Sequence, residues 1–346
     1  MAGSRLELVF GGVPSGQKML LIGADAATDL DSFDTGHVQF DTGHVQIVQN
    51  GFADHQALKA RGYEVVTAAA GQFDAAIVFL PRSRSAARAR IAEAVAHLSP
   101  GAALWIDGQK TDGIDAVMKE LRALLPIDEA HSRAHGKIFR VTLLQPGWLP
   151  GDWAARDHLA APGMVTRPGV FSADAPDPAS QALVAHLPEK LPTRVVDLGA
   201  GWGWLSAELL KRPGIEQLHL VESDHVALDC ARRNVTDPRA RFHWADALDF
   251  RLSDPVNGVV MNPPFHEGRS AEPRLGAGFI RSAAGLLTGA GRLWMVANRH
   301  LPYEQVLREC FADVSEIGGD SRFKILTATG AQRPGARRMQ QKGKRR

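Results

Sequence analysis

The chain has 346 residues, a length that suits two domains better than a single core. Its hydrophobic content is 45%, its charged content is 23% and its net charge is +2, which excludes a protein that is basic throughout. The two cysteines, Cys230 and Cys310, are too far apart to predict a zinc site or a disulfide framework, and the sequence contains no apolar run long enough for a membrane helix. We therefore expect a cytoplasmic protein without a metal.

The first half predicts an α/β domain over residues 1–150. Its apolar strand at 75–80 and its segment at 98–105 match residues 258–261 and 287–294 of the second half in order, with two leucines and a tryptophan in register. Such an internal repeat predicts two copies of one fold, and the alternative is chance similarity between two α/β halves. The first copy has Leu80 where the second has Asn262, which predicts that its site is degenerate.

A boundary is predicted where prolines interrupt the periodic pattern. The prolines concerned are Pro146, Pro150, Pro162, Pro168, Pro176 and Pro178. They predict a linker or entry segment over residues 151–180, before a second domain over 181–332. The final segment, 333–346, contains no acidic residue and is predicted to be a disordered basic tail. It could contact RNA or could only aid solubility.

The second half alternates short apolar strands with helices, which is typical of a parallel α/β sheet. Five strands are predicted, at residues 194–198, 218–221, 241–244, 258–261 and 291–296. Three helices are predicted, at residues 204–210, 227–234 and 279–287. The polar clusters follow the carboxyl ends of these strands, where open α/β sheets bind their ligands.

A glycine turn follows the first of these strands, with Asp197, Gly199, Gly201 and Gly203 in the pattern D-x-G-x-G-x-G. Glycines there permit positive φ and a close approach of the main chain to a ligand. The dinucleotide fingerprint G-x-G-x-x-G requires a glycine where Trp204 stands, so the sequence does not predict a dinucleotide site. The pattern resembles the glycine motif of class I methyltransferases, which implies S-adenosylmethionine as cofactor.

Two acidic residues at later strand ends extend the predicted cofactor site. Glu222 lies nineteen residues after Gly203 and is placed to accept the ribose hydroxyls. Asp246, followed by Ala247, is placed to accept from the adenine amine. Three acidic or glycine-rich positions in order at strand ends favour a binding site over solvated strand ends.

The sequence Asn262-Pro263-Pro264-Phe265 follows the fourth strand and is the candidate chemical site. The prolines end the strand and fix the local backbone. The Asn262 side-chain oxygen and the Pro263 carbonyl can accept the two N–H groups of an exocyclic amine, while Phe265 stacks on the base. Asn262 is also expected to border the cofactor. The alternative is that Asn-Pro-Pro is only a turn.

Several segments resemble the ribosomal RNA small-subunit methyltransferase C family and its large-subunit relatives. They are NPPFHEG at 262–268, VANRHLPY at 296–303, RFKI at 322–325 and RPGVFS at 167–172. The resemblance covers most of residues 165–328. It implies a guanine-N2 methyltransferase of ribosomal RNA with two tandem Rossmann-like domains, of which the N-terminal one is degenerate and helps folding or RNA binding.

The expected substrate is 16S rRNA or the small ribosomal subunit, and we expect a monomer. Alternatives with the same chemistry are 23S rRNA, adenine or a protein glutamine. An alternative from another class is a non-catalytic RNA-binding or ribosome assembly protein. Arg322 and Lys324 could meet phosphate or could be ordinary surface charge.

Overall fold

The computed structural model describes residues 5–9, 17–30, 45–142, 148–264, 266–267, 270–271 and 273–332. Phe265 and the basic segment 333–346 lie outside the described residues. The chain divides into two compact units, of which one is Met1–Asp157 with Arg167–Gly169 and the other is His158–Thr166 with Val170–Arg346.

The first unit contains a seven-stranded sheet. Its strands are β1 (Met19–Ile22), β2 (Val45–Val48), β3 (Glu64–Val66), β4 (Phe73–Phe79), β5 (Leu98–Gln109), β6 (Glu129–Arg133) and β7 (Gly136–Thr142). Their spatial order is β3-β2-β1-β4-β5-β7-β6. Strands β1 to β5 run parallel, and β7 and β6 are antiparallel at one edge.

Helices cover both faces of this sheet. They are α1 (Phe52–Ala60), α2 (Arg84–Ala96) and α3 (Ile114–Arg122). Leu20 and Ile22 of β1 point to the face covered by α2 and α3, whereas Met19 and Leu21 point to the face covered by α1. This alternation explains why β1 is apolar throughout, since a parallel strand is buried on both sides.

The second unit repeats the arrangement. Its sheet strands are β10 (Arg194–Leu198), β11 (Gln217–Glu222), β12 (Ala240–Trp244), β13 (Val256–Met261), β16 (Leu287–Asn298), β17 (Phe311–Gly319) and β18 (Phe323–Ala331). Their order is β12-β11-β10-β13-β16-β18-β17, with β18 and β17 antiparallel. Its helices are α4 (Pro178–His186), α5 (Trp204–Leu210), α6 (His225–Asn234), α7 (Pro273–Leu286) and α8 (Tyr303–Cys310). Helices α4, α5 and α6 pack on one face, and α7 and α8 pack on the other.

Two short hairpins complete the second unit. They are β8 (His158–Ala161) with β9 (Met164–Thr166), and β14 (His266–Glu267) with β15 (Ser270–Ala271). The Asn234 amide of α6 donates to the Val165 carbonyl at 2.8 Å and accepts from the Val165 N–H at 2.7 Å. The first hairpin, although it falls in the predicted linker 151–180, therefore belongs to the second unit.

The predicted repeat of one fold is confirmed by the two equivalent sheet orders. Strands β5 and β16 each have twelve residues and nearly the same pattern of buried positions. Ile77 pairs with Trp105 in the first sheet as Val260 pairs with Trp294 in the second. Two residues further on, Phe79 therefore occupies the position of Asn262. The prediction that Leu80 stands there was wrong by one residue, because sequence similarity alone did not fix the strand register.

The chain order of the second sheet reverses beside β10. From β10 the chain continues to β11 and β12 on one side, and then crosses to β13 on the other. A crevice forms at the carboxyl ends of strands at such a switch point. The predicted glycine turn and Asn262 follow β10 and β13, so the fold brings them to the same crevice. No helix built from the described residues is long and apolar enough to cross a membrane.

Candidate active site

Three glycines in the turn after β10 adopt the left-handed conformation. Gly199, Gly201 and Gly203 have φ values of +86°, +54° and +87°. A Cβ on Gly203 would lie 3.1 Å from the Ala231 Cβ, and one on Gly199 would lie 3.3 Å from the Phe279 ring, whereas nothing lies within 4 Å of such an atom on Gly201. Gly201 therefore offers open main chain to a ligand, and Gly203 permits α5 to pack on α6.

Glu222, at the end of β11, is bonded to the glycine turn. Its Oε2 accepts the Gly201 N–H at 2.8 Å, and its Oε1 accepts the Asp224 N–H at 2.8 Å. Burial raises the pKa of Glu222, and these backbone donors oppose the rise. Oε1 also accepts from the Ser223 hydroxyl at 3.4 Å, whereas Oε2 accepts only the Gly201 N–H among the described residues. Since a carboxylate oxygen can accept a second hydrogen bond, Glu222 can hold the turn and also accept a ligand hydroxyl.

Asp197 lies beneath the turn and has no exposed surface. Its Oδ2 accepts from the Ser206 hydroxyl at 2.7 Å, while its Oδ1 is buried without a partner among the described residues. Burial raises the pKa of Asp197 to about 7, the Ser206 hydroxyl opposes this rise and the Glu222 carboxylate adds to it. Asp197 is therefore a support of the turn that does not reach the groove wall.

Asp246 and Ala247 follow β12, the next strand in the sheet. Ala245 donates its N–H to the Glu222 carbonyl at 3.1 Å, which ties the two strand ends together. Asp246 Oδ1 accepts the Leu248 N–H at 2.8 Å. Its Oδ2 has no hydrogen-bond partner among the described residues. Ala247 is buried, and its carbonyl accepts from Ser282. Asp246 thus keeps an acceptor available, whereas Ala247 supports its position.

A small groove lies between the glycine turn and Asn262. Phe171, which is 65% exposed, and Ser172, which has φ of +50°, form part of its wall with Trp202. The Arg167–Ser172 resemblance indicated this segment, but its place beside the groove follows only from the tertiary structure.

Asn262 stands at the end of β13, and its amide makes two contacts that the sequence did not predict. Its Nδ2 donates to Asp177 Oδ2 at 2.8 Å and to Ser180 Oγ at 2.8 Å. The pattern Asp177-Pro178-x-Ser180 is a helix-start signal, so the sequence could have located the helix but not its contact with Asn262. Of the two prolines that follow Asn262, Pro263 is buried and Pro264 is exposed. Phe265 lies outside the described residues.

The groups around the turn fit S-adenosylmethionine. Glu222 and Asp246 bring two carboxyl groups to neighbouring strand ends beside the open main chain of Gly201, and Asp246 Oδ2 has no hydrogen bond among the described residues. Such a setting suits hydroxyls and positive charge, and it would repel a pyrophosphate. Across the described part of the chain, no group of three potential metal-ligand side chains is found.

The first unit replaces the acid at the equivalent strand end. Gly23 donates to the Val48 carbonyl as Gly199 donates to the Val221 carbonyl, both at 2.9 Å. The next residue in the first unit is the neutral Gln49, whose Oε1 accepts the Gly51 N–H at 2.7 Å and whose amide nitrogen donates to Ala24. With Gln49 for Glu222 and Phe79 for Asn262, the first unit lacks the groups that define the second site.

Lys324 is buried rather than available to phosphate. It is 4% exposed, and its Nζ donates to the Leu301 carbonyl at 2.7 Å and to Glu304 Oε1 at 2.5 Å. The phosphate alternative was therefore wrong for Lys324. Arg322, by contrast, is exposed beside Asp320.

Two family models match the chain. The methyltransferase small domain matches residues 162–327, and the methyltransferase small domain N-terminal matches residues 14–149. The matches agree with a tandem arrangement in which each unit carries one domain of the class I methyltransferase type.

Curated relatives and a solved structure extend this similarity. Ribosomal RNA small subunit methyltransferase C of Shewanella pealeana is 31% identical over 267 residues, which is 74% of this chain and 77% of that protein. The same-named protein of Shewanella amazonensis is 30% identical over 73% of this chain and 76% of its own length. A T. thermophilus 16S rRNA N2 methyltransferase, solved with AdoMet and guanosine, superposes with a TM-score of 0.75 at 25% identity, covering 93% of this chain and 90% of that one.

Alanine at Gly203 and alanine at Gly201 are expected to have different effects. Gly203→Ala should lower the free energy of unfolding by about 1–3 kcal/mol, because the new methyl group meets Ala231 in a strained backbone. Gly201→Ala adds only backbone strain of about 1–2 kcal/mol but places a methyl group on the open main chain, so it should weaken cofactor binding. Thermal unfolding and isothermal titration with S-adenosylmethionine measure the two effects. A Gly203→Ala variant that keeps its stability and loses only cofactor affinity would contradict this division.

Asp197→Asn is expected to change how stability depends on pH. The folded-state pKa of about 7 lies above the ordinary value of 3.8 for an aspartate, so the fold binds this proton more tightly than the unfolded chain does. The stabilisation is complete below the lower pKa and is lost as pH rises through the higher one. The unfolding free energy of Asp197→Asn, relative to wild type, should therefore rise between pH of about 4 and about 8. The unfolding free energies of the two proteins are measured by urea denaturation across this range. If they differ by the same amount at every pH, Asp197 does not titrate in this way.

Lys324→Met should destabilise the fold, whereas Arg322→Met should not. The first change leaves the Leu301 carbonyl and the Glu304 carboxylate without their buried partner, at a cost of about 1–3 kcal/mol. The second change removes an exposed charge and should stay within about 0.5 kcal/mol. Denaturant unfolding compares them, and equal stability of the two variants would refute the structural role of Lys324.

Proposed function

We propose that this chain, which belongs to the ribosomal RNA small subunit methyltransferase C family, transfers the methyl group of S-adenosylmethionine to N2 of a guanine in 16S rRNA. The observation that carries the proposal is Asn262, whose amide stands beside the glycine turn with its nitrogen already bonded to the protein. The T. thermophilus relative, an N2 methyltransferase of 16S rRNA solved with AdoMet and guanosine, supports the nucleobase and the cofactor.

Orientation is the main task of the catalytic residues. An exocyclic amine is a poor nucleophile, because its lone pair is delocalised into the base. Asn262 Oδ1 and the Pro263 carbonyl accept the two N–H groups, which directs the nitrogen lone pair toward the methyl donor. Pro264 keeps the turn rigid, and Phe265 stacks on the base. The base must leave its stack to reach this position.

Bound S-adenosylmethionine supplies a methyl group activated by a sulfonium. Methyl transfer to the guanine nitrogen would release S-adenosylhomocysteine, and the nitrogen would carry positive charge until it loses a proton to water. Its proton is acidic at that stage, so no strong base is needed before transfer. Asn262 Oδ1 and the Pro263 carbonyl, as preorganised acceptors, stabilise the developing charge.

The cofactor is proposed to lie along the glycine turn. Glu222 accepts the ribose hydroxyls, Asp246 accepts from the adenine amine next to Ala247, and Gly201 with Gly199 allows close approach. Asp197 and Gly203 act by holding the turn, and Asn262 borders the methyl group. These assignments rest on the hydrogen bonds and strand ends described above.

The first domain, residues 1–150, is proposed to support folding or RNA binding, and the basic tail 333–346 to attract phosphates. The segment 151–180 leads into the catalytic domain, 181–332. Methylation of adenine or of a protein glutamine is disfavoured by the phenylalanine at 265 and by the family. A purely RNA-binding protein would have no use for the acceptors at Glu222, Asp246 and Asn262. A monomer remains our prediction.

Asn262→Ala should strongly reduce methylation while cofactor binding persists. Removing a positioned hydrogen-bond partner costs about 2.7–4 kcal/mol, a loss of about a hundredfold or more in kcat. Tritiated S-adenosylmethionine is offered with 16S rRNA, 23S rRNA and small subunits separately, and the labelled nucleoside is identified. The matched control is Asn257→Ala, an asparagine at the opposite end of the same strand, which should keep its activity.

Label in N2-methylguanosine from 16S rRNA or small subunits, lost in Asn262→Ala and kept in Asn257→Ala, is the expected result. Label found only in 23S rRNA would change the proposed substrate to 23S rRNA and leave the proposed chemistry unchanged. Cofactor binding by wild type without label in any RNA would refute the proposed function and favour a protein substrate or a binding role.

A further inference from the structure

We propose that Asp177 and Ser180 are positioning residues that lock the orientation of the Asn262 amide, so that Oδ1 is the atom presented to the target amine. The inference deepens the proposed function and rests on it for its chemical meaning. The contact itself, a carboxylate and a hydroxyl on one side-chain amide, is a feature of this structure independent of the substrate.

The two amide hydrogens of Asn262 are both accounted for. Nδ2 donates to Asp177 Oδ2 and to Ser180 Oγ, each at 2.8 Å. An asparagine amide has two donors on nitrogen and two lone pairs on oxygen. Because both donors bond to residues at the start of α4, Oδ1 is the polar atom of the side chain that is left for a ligand. Among the described residues nothing donates to it.

Asp177 determines which way the amide points. An ionised carboxylate only accepts hydrogen bonds, so a flipped amide would place Asn262 Oδ1 against Asp177 Oδ2. Two acceptors at that distance repel, whereas the observed orientation forms a charge-assisted hydrogen bond. Ser180 could donate or accept, and it therefore adds to the orientation but does not decide it.

The two acceptors are themselves held in place by the first turn of α4. Asp177 is the N-cap residue, and its Oδ2 also accepts the Ser180 N–H at 2.9 Å. Pro178 occupies the first helical turn, and Ala179 and Leu183 are buried in the core against the sheet. A helix anchored in the core thus presents both groups with little freedom to move.

The contact with Asn262 exceeds what helix capping requires. Capping requires only that the Asp177 carboxylate accepts the Ser180 N–H. It does not explain why the same carboxylate also accepts from Asn262. The Asp177 carboxylate polarises the Asn262 N–H bond and so makes Oδ1 a stronger acceptor, since hydrogen bonds in a chain polarise one another. The same polarisation stabilises the target nitrogen as it becomes positive.

The decisive variant is Asp177→Ser. Serine caps helices about as well as aspartate, but its side chain is one group shorter and does not extend to Asn262. Asp177→Asn is the rescue variant, because its oxygen can still cap the helix and accept from Asn262. Ser180→Ala removes the second acceptor alone. Ser83→Ala, which removes the hydroxyl cap of α2, is the control for a lost cap elsewhere.

Two readouts are measured on the full-length chain. The first is the Asn262 side-chain amide pair in a ¹H–¹⁵N NMR spectrum, assigned by its absence in Asn262→Ala. The second is kcat and KM with the RNA that wild type methylates, together with the dissociation constant for S-adenosylmethionine and thermal stability.

Asp177→Ser is expected to shift the Asn262 amide pair and to lower kcat by about tenfold to a hundredfold, the range seen for outer residues that orient metal ligands. KM and cofactor affinity should stay within about threefold, Asp177→Asn should recover most of kcat and Ser180→Ala should show a smaller loss. Ser83→Ala should leave both readouts unchanged.

An unchanged amide pair in Asp177→Ser, or a shifted pair with unchanged kcat, would overturn the proposal. Equal losses in Asp177→Ser and Asp177→Asn would also overturn it, because a side chain at position 177 that still accepts from Asn262 would then fail to restore kcat. If wild type methylates no RNA, the proposed function fails, and the NMR readout still decides whether Asp177 holds the amide.

Discussion

Parallel pairing of β10 with β11 on one side and β13 on the other is the constraint from which the site follows. It brings the carboxyl ends of three strands to one edge, where main-chain N–H groups and side chains are left without sheet partners. Glu222 uses this geometry directly, since its carboxylate joins the end of β11 to the Gly201 N–H after β10. The turn, the acid and Asn262 are thereby fixed relative to one another before any ligand is bound.

The two units separate the requirements of the fold from those of the site. Both have the same strand order, and both place a glycine with positive φ after the first central strand. They differ in the residues at the strand ends, where Gln49 replaces Glu222 and Phe79 stands in the place of Asn262. Because these residues project from the sheet edge, they can change without loss of the sheet, and the same fold exists with and without the site.

Much of the second unit was predictable, because buried parallel strands are short apolar runs bounded by turn residues. The strand Arg194–Leu198 and the helix Trp204–Leu210 have the predicted limits. The roles of individual residues were less predictable, since a motif does not specify which way a side chain points. Asp197 is buried under the turn and Lys324 is buried against Glu304, although an acid in a glycine motif and a lysine near the end of the catalytic domain both suggest ligand contact.

The sequence by itself determined the two-fold repeat, the parallel α/β class and the strand ends that carry Glu222, Asp246 and Asn262. These follow from local patterns, in which hydrophobic periodicity and turn residues act over a few neighbouring positions. Only the tertiary structure decided that Asp177 and Ser180 bond to Asn262, because these residues are more than eighty positions apart in the chain. Packing of α4 on the sheet brings them together, and no local pattern records a contact between elements that distant in sequence.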